Sequence, residues 1–161
     1  MNFRKMIPDD WESVKDIYLQ GIATGNATFQ KDAPSSEEWD KGHLGFGRIV
    51  SVNERNEVTG WCALSAVSSR CVYAGVAEVS VYVSTSNTGK QIGTLLLKQL
   101  VAESEANGIW TLQAGIFPEN TASIRIHEKE GFRIVGYREK IGQMDGVWRD
   151  TLILERRSKS I

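Results

Sequence analysis

Apolar residues recur along this chain at two different periods, and the switches between them mark its elements. Phe3 to Met6 reads as a short strand. Pro8-Asp9-Asp10 then opens a helix on which Trp11, Val14, Ile17, Tyr18 and Ile22 fall at helical spacing, a face suited to packing on a sheet. Gly21 to Phe29 is loop-like. Pro34-Ser35-Ser36-Glu37-Glu38 has the form of a cap opening a short helix through Trp39, with acids in the first turn that favour the helix dipole. Arg48 to Asn53 and Val58 to Val67 are strand-like runs joined by the polar Glu54-Arg55-Asn56-Glu57, which begins a meander. Tyr73 to Val83 continues it, with Val79, Val81 and Val83 alternating against Ser80 and Tyr82 as a strand requires.

A polar stretch from Ser84 to Gly93 separates that strand from a long amphipathic helix carrying Leu95, Leu96, Leu97, Leu100 and Val101, closed by Asn107-Gly108. Trp110 to Phe117 is the next strand and Pro118-Glu119-Asn120 a turn. Thr121 to Glu130 is a short helix stopped at Gly131. Arg133 to Ile141 and Trp148 to Glu155 form a closing pair around a loop from Gly142 to Gly146. This order predicts an α+β fold of three layers, α/β/α, around a mixed, mostly antiparallel sheet. No repeat or linker divides the chain, so one domain over residues 1–161 is expected.

Composition narrows the classes of function. With 41% hydrophobic and 24% charged residues, the chain is of the soluble globular kind. Nineteen basic against 20 acidic residues leave a formal charge of -1, and the one basic cluster, Arg156, Arg157 and Lys159, falls at the C-terminus, so no nucleic-acid partner is expected. The longest apolar stretches fall far short of the ~20 residues that span a bilayer, and Met1-Asn2-Phe3-Arg4-Lys5 lacks the apolar core of a signal peptide. A cytoplasmic protein without membrane contact is the expectation. Cys62 and Cys71 have no Cys-x-x-Cys spacing and read as small core residues. No residue pattern supports a metal site, a nucleophilic triad or a covalent acyl-enzyme.

The segment from Thr88 to Thr94 is the first candidate for chemistry. A helix N-terminus offers unpaired backbone N–H groups and positive dipole potential, so a glycine-containing turn entering one can hold a pyrophosphate. An ordinary strand-to-helix loop is the alternative.

Val79-Ser80-Val81-Tyr82-Val83 with that turn resembles the acetyl-CoA motif of the GNAT acetyltransferases. The run from Gly115 through Asn120 and His127 to Gly131-Phe132 resembles the second cofactor segment of that superfamily. Ile22 to Phe29, Ser68-Ser69-Arg70, Gly75 to Val83 and Trp148-Arg149-Asp150 are similar to the phosphinothricin and methionine sulfoximine N-acetyltransferases within it. The phosphate loop departs from the superfamily pattern, with Thr88 and Gln91 at two signature positions. Gly89 and Gly93 remain, and Lys90 adds positive charge.

The resemblance implies an acetyl-CoA-dependent N-acetyltransferase acting on the amine of a small amino-acid-like molecule, in a homodimeric protein. It assigns cofactor contacts to Val81, Tyr82, Val83, Gly89, Lys90, Gln91, Ile92, Gly93, Thr94, Asn120 and Lys129. It assigns substrate contacts to Ser69, Arg70, Cys71, Glu78, Val79 and Ser80. Catalysis falls to Glu78 as base and to His127, which stands where many members carry a tyrosine and would act as acid or assist Glu78. The chemistry agrees, since an amine attacks a thioester only when neutral and so needs a proton acceptor. The forked guanidinium of Arg70 suits a carboxylate or phosphinate. Phe29, Tyr73 and Trp148 are candidate pocket walls, whereas His43 has no motif around it. A solvated strand glutamate, a helix-packing histidine and a turn asparagine are the structural alternatives at positions 78, 127 and 120. An acetyltransferase for protein N-termini or other amines, and a non-catalytic acetyl-CoA sensor, are the alternative functions.

Overall fold

A computed structural model describes residues 1–161. Its strands are β1 (Asn2–Lys5), β2 (Ile49–Val52), β3 (Val58–Ala66), β4 (Val76–Val83), β5 (Thr111–Ile116), β6 (Arg133–Met144) and β7 (Val147–Arg157). Its helices are α1 (Trp11–Ala23), α2 (Ser36–Gly42), α3 (Ile92–Ala106) and α4 (Thr121–Lys129). The seven strands make one sheet in the order β1-β2-β3-β4-β5-β7-β6, antiparallel throughout except at β4–β5.

The alternation of β3 divides the interior into two layers. Trp61 and Ala63 pack with Val14 and Ile17 of α1 and Trp39 of α2, whereas Cys62 and Leu64 pack with Leu96, Leu97 and Leu100 of α3. Those three leucines are fully buried, each contributing roughly 1.5–3 kcal/mol over an exposed state. β4 repeats the pattern. Ala77 and Val79 join the α3 side, and Tyr82 packs toward α1, which places Glu78 and Ser80 on that same face. The expected three-layer arrangement is therefore present.

Ser35 caps α2 as expected, its hydroxyl accepting from the Glu38 N–H at 3.2 Å. Other boundaries differ. α1 continues through Gly21 to Ala23, in place of the expected loop, and Tyr73 belongs to a short helical turn, Cys71–Tyr73, ahead of β4. The closing strands run further than their composition implies. Gly142 pairs with Arg149 inside the ladder, and the connection shrinks to Asp145-Gly146, whose positive φ values of 50° and 78° suit a tight hairpin turn.

Regular pairing breaks down at two places in the sheet. β4 and β5 are in register only at Val76–Thr111, Ala77–Leu112 and Glu78–Gln113. Beyond Glu78 they part, β4 staying with β3 and β5 with β7. In β6, residues 139–141 oppose the single Asp150 of β7, a bulge in which Lys140 takes φ 49°. Asp150 holds it, accepting the Lys140 N–H at 2.7 Å and the Tyr137 hydroxyl.

Candidate active site

The parting of β4 from β5 opens a cleft of about 960 Å³, a size that admits a small-molecule ligand. Glu78 to Val83 line one wall and Gln113 to Phe117 the other, with Asn120, Ser123 and His127 contributed by α4 and the turn before it. On the α1 side the lining continues through Tyr18, Trp39, His43 and Trp61, and the connection after α1 closes it through residues 26–30.

That connection is tied across the parted strands to the far half of the sheet. Arg149 of β7 donates to the Gly25 carbonyl at 2.9 Å and to Asn26 Oδ1 at 2.7 Å, lies 3.4 Å from Glu119 and stacks over Phe117 at 4.2 Å. Asn120 adds a bond from its amide to the Asn26 carbonyl at 3.2 Å. The ring of Phe29 then meets Phe117 edge-on at 4.8 Å, making one apolar wall.

Glu78 is the carboxylate at the apex, in the last register pair before the strands diverge. Burial pushes its pKa above the ordinary carboxylate range, and the positive charge of Arg138 partly opposes that rise. A carboxylate shifted this way is a better proton acceptor near neutrality than a solvated one.

His127 is 5% exposed and packs edge-on against Phe132 at 5.0 Å. Its Nδ1 lies 2.7 Å from the Ser123 carbonyl, and since a carbonyl only accepts, Nδ1 carries the proton. Burial lowers its pKa, favouring the neutral ring with Nε2 as an acceptor. Such a ring accepts a proton at Nε2 more readily than it donates one.

Asn120 caps α4, its Oδ1 accepting from the Ser123 N–H at 3.3 Å. With its amide also on Asn26, both ends of the side chain are engaged within the protein. One amide hydrogen remains for a ligand.

The start of α3 fits an anion. Gln91 takes the N-cap position at φ 62° and Gly89 precedes it at φ 79°; no side chain caps the helix. The first turn bond runs from the Leu95 N–H to the Gln91 carbonyl, leaving the amides of Ile92, Gly93 and Thr94 ahead of it. Lys90 reaches Asn87 at 3.0 Å, and Gly93 lies on the cleft lining beside Ile126. Backbone N–H groups placed this way can hold a pyrophosphate without many basic side chains.

Several expected site residues lie elsewhere. Ser69, Arg70 and Cys71 are exposed and outside the cleft lining, with the Arg70 guanidinium over Tyr73 at 5.7 Å. Cys71 is thus not a core residue. Cys62 is, and burial pushes its thiol up to about 12. Tyr73 and Trp148, at 45% and 55% exposure, do not wall the cleft, and Lys129 lies on the exposed side of α4. His43 does line it, stacked on Trp39 at 4.1 Å. Phe117, within the second motif, lines it as well, and so do Arg138 and Ile141, which no local motif marks. The C-terminal cluster is partly tied down, Arg156 meeting Glu105 at 3.1 Å. No group of three or more His, Cys, Asp or Glu side chains is placed to hold a metal ion, and no helix is long and apolar enough to cross a membrane.

Residues 8–153 match the acetyltransferase (GNAT) domain family. The chain belongs to that family. This acetyltransferase is 29% identical over 95% of its length to a phosphinothricin N-acetyltransferase of Streptomyces coelicolor, of which 94% is covered. It is 27% identical over 91% of its length to the L-methionine sulfoximine/L-methionine sulfone acetyltransferase of Pseudomonas aeruginosa, of which 88% is covered. Its fold superposes with a TM-score of 0.88 on a GNAT superfamily phosphinothricin acetyltransferase from Sinorhizobium meliloti crystallised with acetyl-CoA. That pair is 28% identical, with 99% of this chain and 94% of that one covered. The protein is an N-acetyltransferase, and acetyl-CoA is its acetyl donor.

Proposed function

We propose that this acetyltransferase acts on the amino group of a small amino-acid-like substrate such as phosphinothricin or methionine sulfoximine, by direct attack in a ternary complex. The observation that carries this reading is the position of Glu78. It is a half-buried carboxylate of raised pKa at the apex of the cleft, one strand position before the edge of β4 that β5 leaves unpaired.

Bound acetyl-CoA supplies a thioester carbonyl open to attack by a neutral amine. Gly89 to Thr94 would hold its pyrophosphate at the start of α3, and the β4 edge from Val81 to Val83 would pair with its pantetheine amides as an added strand does. Glu78 accepts the proton of the substrate ammonium, directly or through a water. The acceptor Nε2 of His127 is available to relay it. Unpaired N–H groups on β4 would stabilise negative charge developing on the carbonyl oxygen; as the C–N bond forms the C–S bond breaks, CoA leaves as the thiolate, and the proton lost by the attacking nitrogen passes to it. Phe29 and Phe117 shield the reacting atoms from water. Exposed Ile134, Val135, Tyr137, Val147 and Trp148 on β6 and β7 support the expected homodimer, which sedimentation would test.

The deciding experiment is release of CoA thiol from acetyl-CoA against phosphinothricin, methionine sulfoximine, proteinogenic amino acids, peptides and polyamines. Turnover on the first two supports the reading. Turnover on peptides alone would make the protein an N-terminal acetyltransferase. Acetyl-CoA binding with no turnover on any amine would make it a sensor.

A further inference from the structure

We propose that Arg138 receives the carboxylate of the substrate, so that the cleft recognises a free α-amino acid by both of its charged ends. This rests on the amino-acid reading above and extends it to a residue that no local motif marks.

The charges around the cleft leave Arg138 in an unusual position. The ionisable side chains of its lining include Glu78, Glu119, Arg138, His43 and His127. Burial favours the neutral form of both histidines, and Glu119 is paired with Arg149. One anion, Glu78, and one cation, Arg138, are left. Arg138 enters none of the six ion pairs of the protein, and its charge acts on Glu78. A zwitterionic amino acid carries the complementary pair, an ammonium for Glu78 and a carboxylate for Arg138.

Two other guanidiniums are placed differently. Arg149 is committed to Gly25, Asn26 and Glu119, where it holds the loop after α1. Arg70 lies outside the cleft, over Tyr73.

The fold also accounts for the placement. Arg138 is the last paired residue of β6 before the bulge at 139–141, which Asp150 pins through Lys140 and Tyr137. A bulge re-aims the side chains beside it, and both Arg138 and Ile141 line the cleft here. The planar fork of arginine matches a carboxylate with two parallel bonds. A peptide N-terminus or a polyamine has no α-carboxylate to offer and would leave that fork unpaired.

The test compares kcat/KM for L-methionine sulfoximine and its α-carboxamide in the wild type, R138Q and R138K. The wild type should prefer the free acid by about 10- to 100-fold, as expected for a charge-assisted pair. R138Q should bring the ratio close to one, through a higher KM for the acid, and R138K should restore part of it. A ratio unchanged in R138Q, or a wild type indifferent to the carboxylate, overturns the assignment while leaving the acetyltransferase reading in place. A wild type that acetylates neither this pair nor any other free amino acid of the panel overturns the amino-acid reading and the role of Arg138 together.

Discussion

Phe29 rests against the backbone of Gly142, so closely that a Cβ at position 142 would sit 2.7 Å from its Cζ atom. The contact joins the loop after α1 to β6 across the cleft mouth. Gly142→Ala should therefore displace the ring, costing about 1–3 kcal/mol of stability if the backbone stays in place. The same displacement opens the apolar wall, so KM for the amine should rise several-fold. Thermal unfolding together with steady-state kinetics checks both, and an unchanged variant would show that the ring moves aside freely.

Glu78→Gln should lower kcat/KM by about 10²- to 10⁴-fold, the range for loss of a general base. In the parent enzyme the acidic limb of the pH profile should lie above the usual carboxylate range, because burial raises the Glu78 pKa. R138Q removes the charge that opposes this rise, so the limb should move to still higher pH. A Glu78→Gln enzyme with wild-type rates across pH would remove Glu78 from the role of base.

His127 links stability to pH. Its pKa is lowered by burial in the folded protein, whereas in the unfolded chain it titrates near 6.5. Below about pH 6.5 the unfolded state therefore takes up the proton first, and its contribution to stability, full above that value, is lost as pH falls toward the folded pKa. His127→Gln should flatten the stability profile in that window. Urea unfolding at pH 5.5 and 7.5 measures the difference, which should be smaller in the variant than in the parent.

Arg149→Ala should release the loop after α1 by removing its bonds to Gly25 and Asn26, at a cost of about 1–3 kcal/mol for charge-assisted hydrogen bonds. Limited proteolysis should then cut near residues 24–33 faster than in the parent. Equal cleavage rates would show that Phe29 and Asn120 hold the loop unaided.

Much of the architecture is legible in the sequence because it follows local periods. The two-residue alternation of β3 and β4 and the spacing of Leu96, Leu97 and Leu100 each state which face is buried. Gly142 reads as loop because a glycine in a polar stretch resembles one. Its actual reason, the ring of a residue more than a hundred positions away, has no local signature. Arg138 is silent for a related reason, since one arginine in an edge strand is indistinguishable from a solvated charge until the bulge and Glu78 are placed around it. Arg149 is visible within Trp148-Arg149-Asp150, but its task of fastening a loop across the sheet is not. The resemblance places Arg70 with the substrate, whereas in this chain its guanidinium lies over Tyr73 at 5.7 Å, outside the cleft lining.

Three residue pairs stitch β4 to β5, so the sheet behaves as two leaves on a short spine. An occupant that touches both leaves acts as a brace, making occupancy and stiffness a single event. Amide exchange along Val79 to Val83 then becomes a strain gauge for the cleft, slowing in proportion to how firmly its contents hold the leaves together.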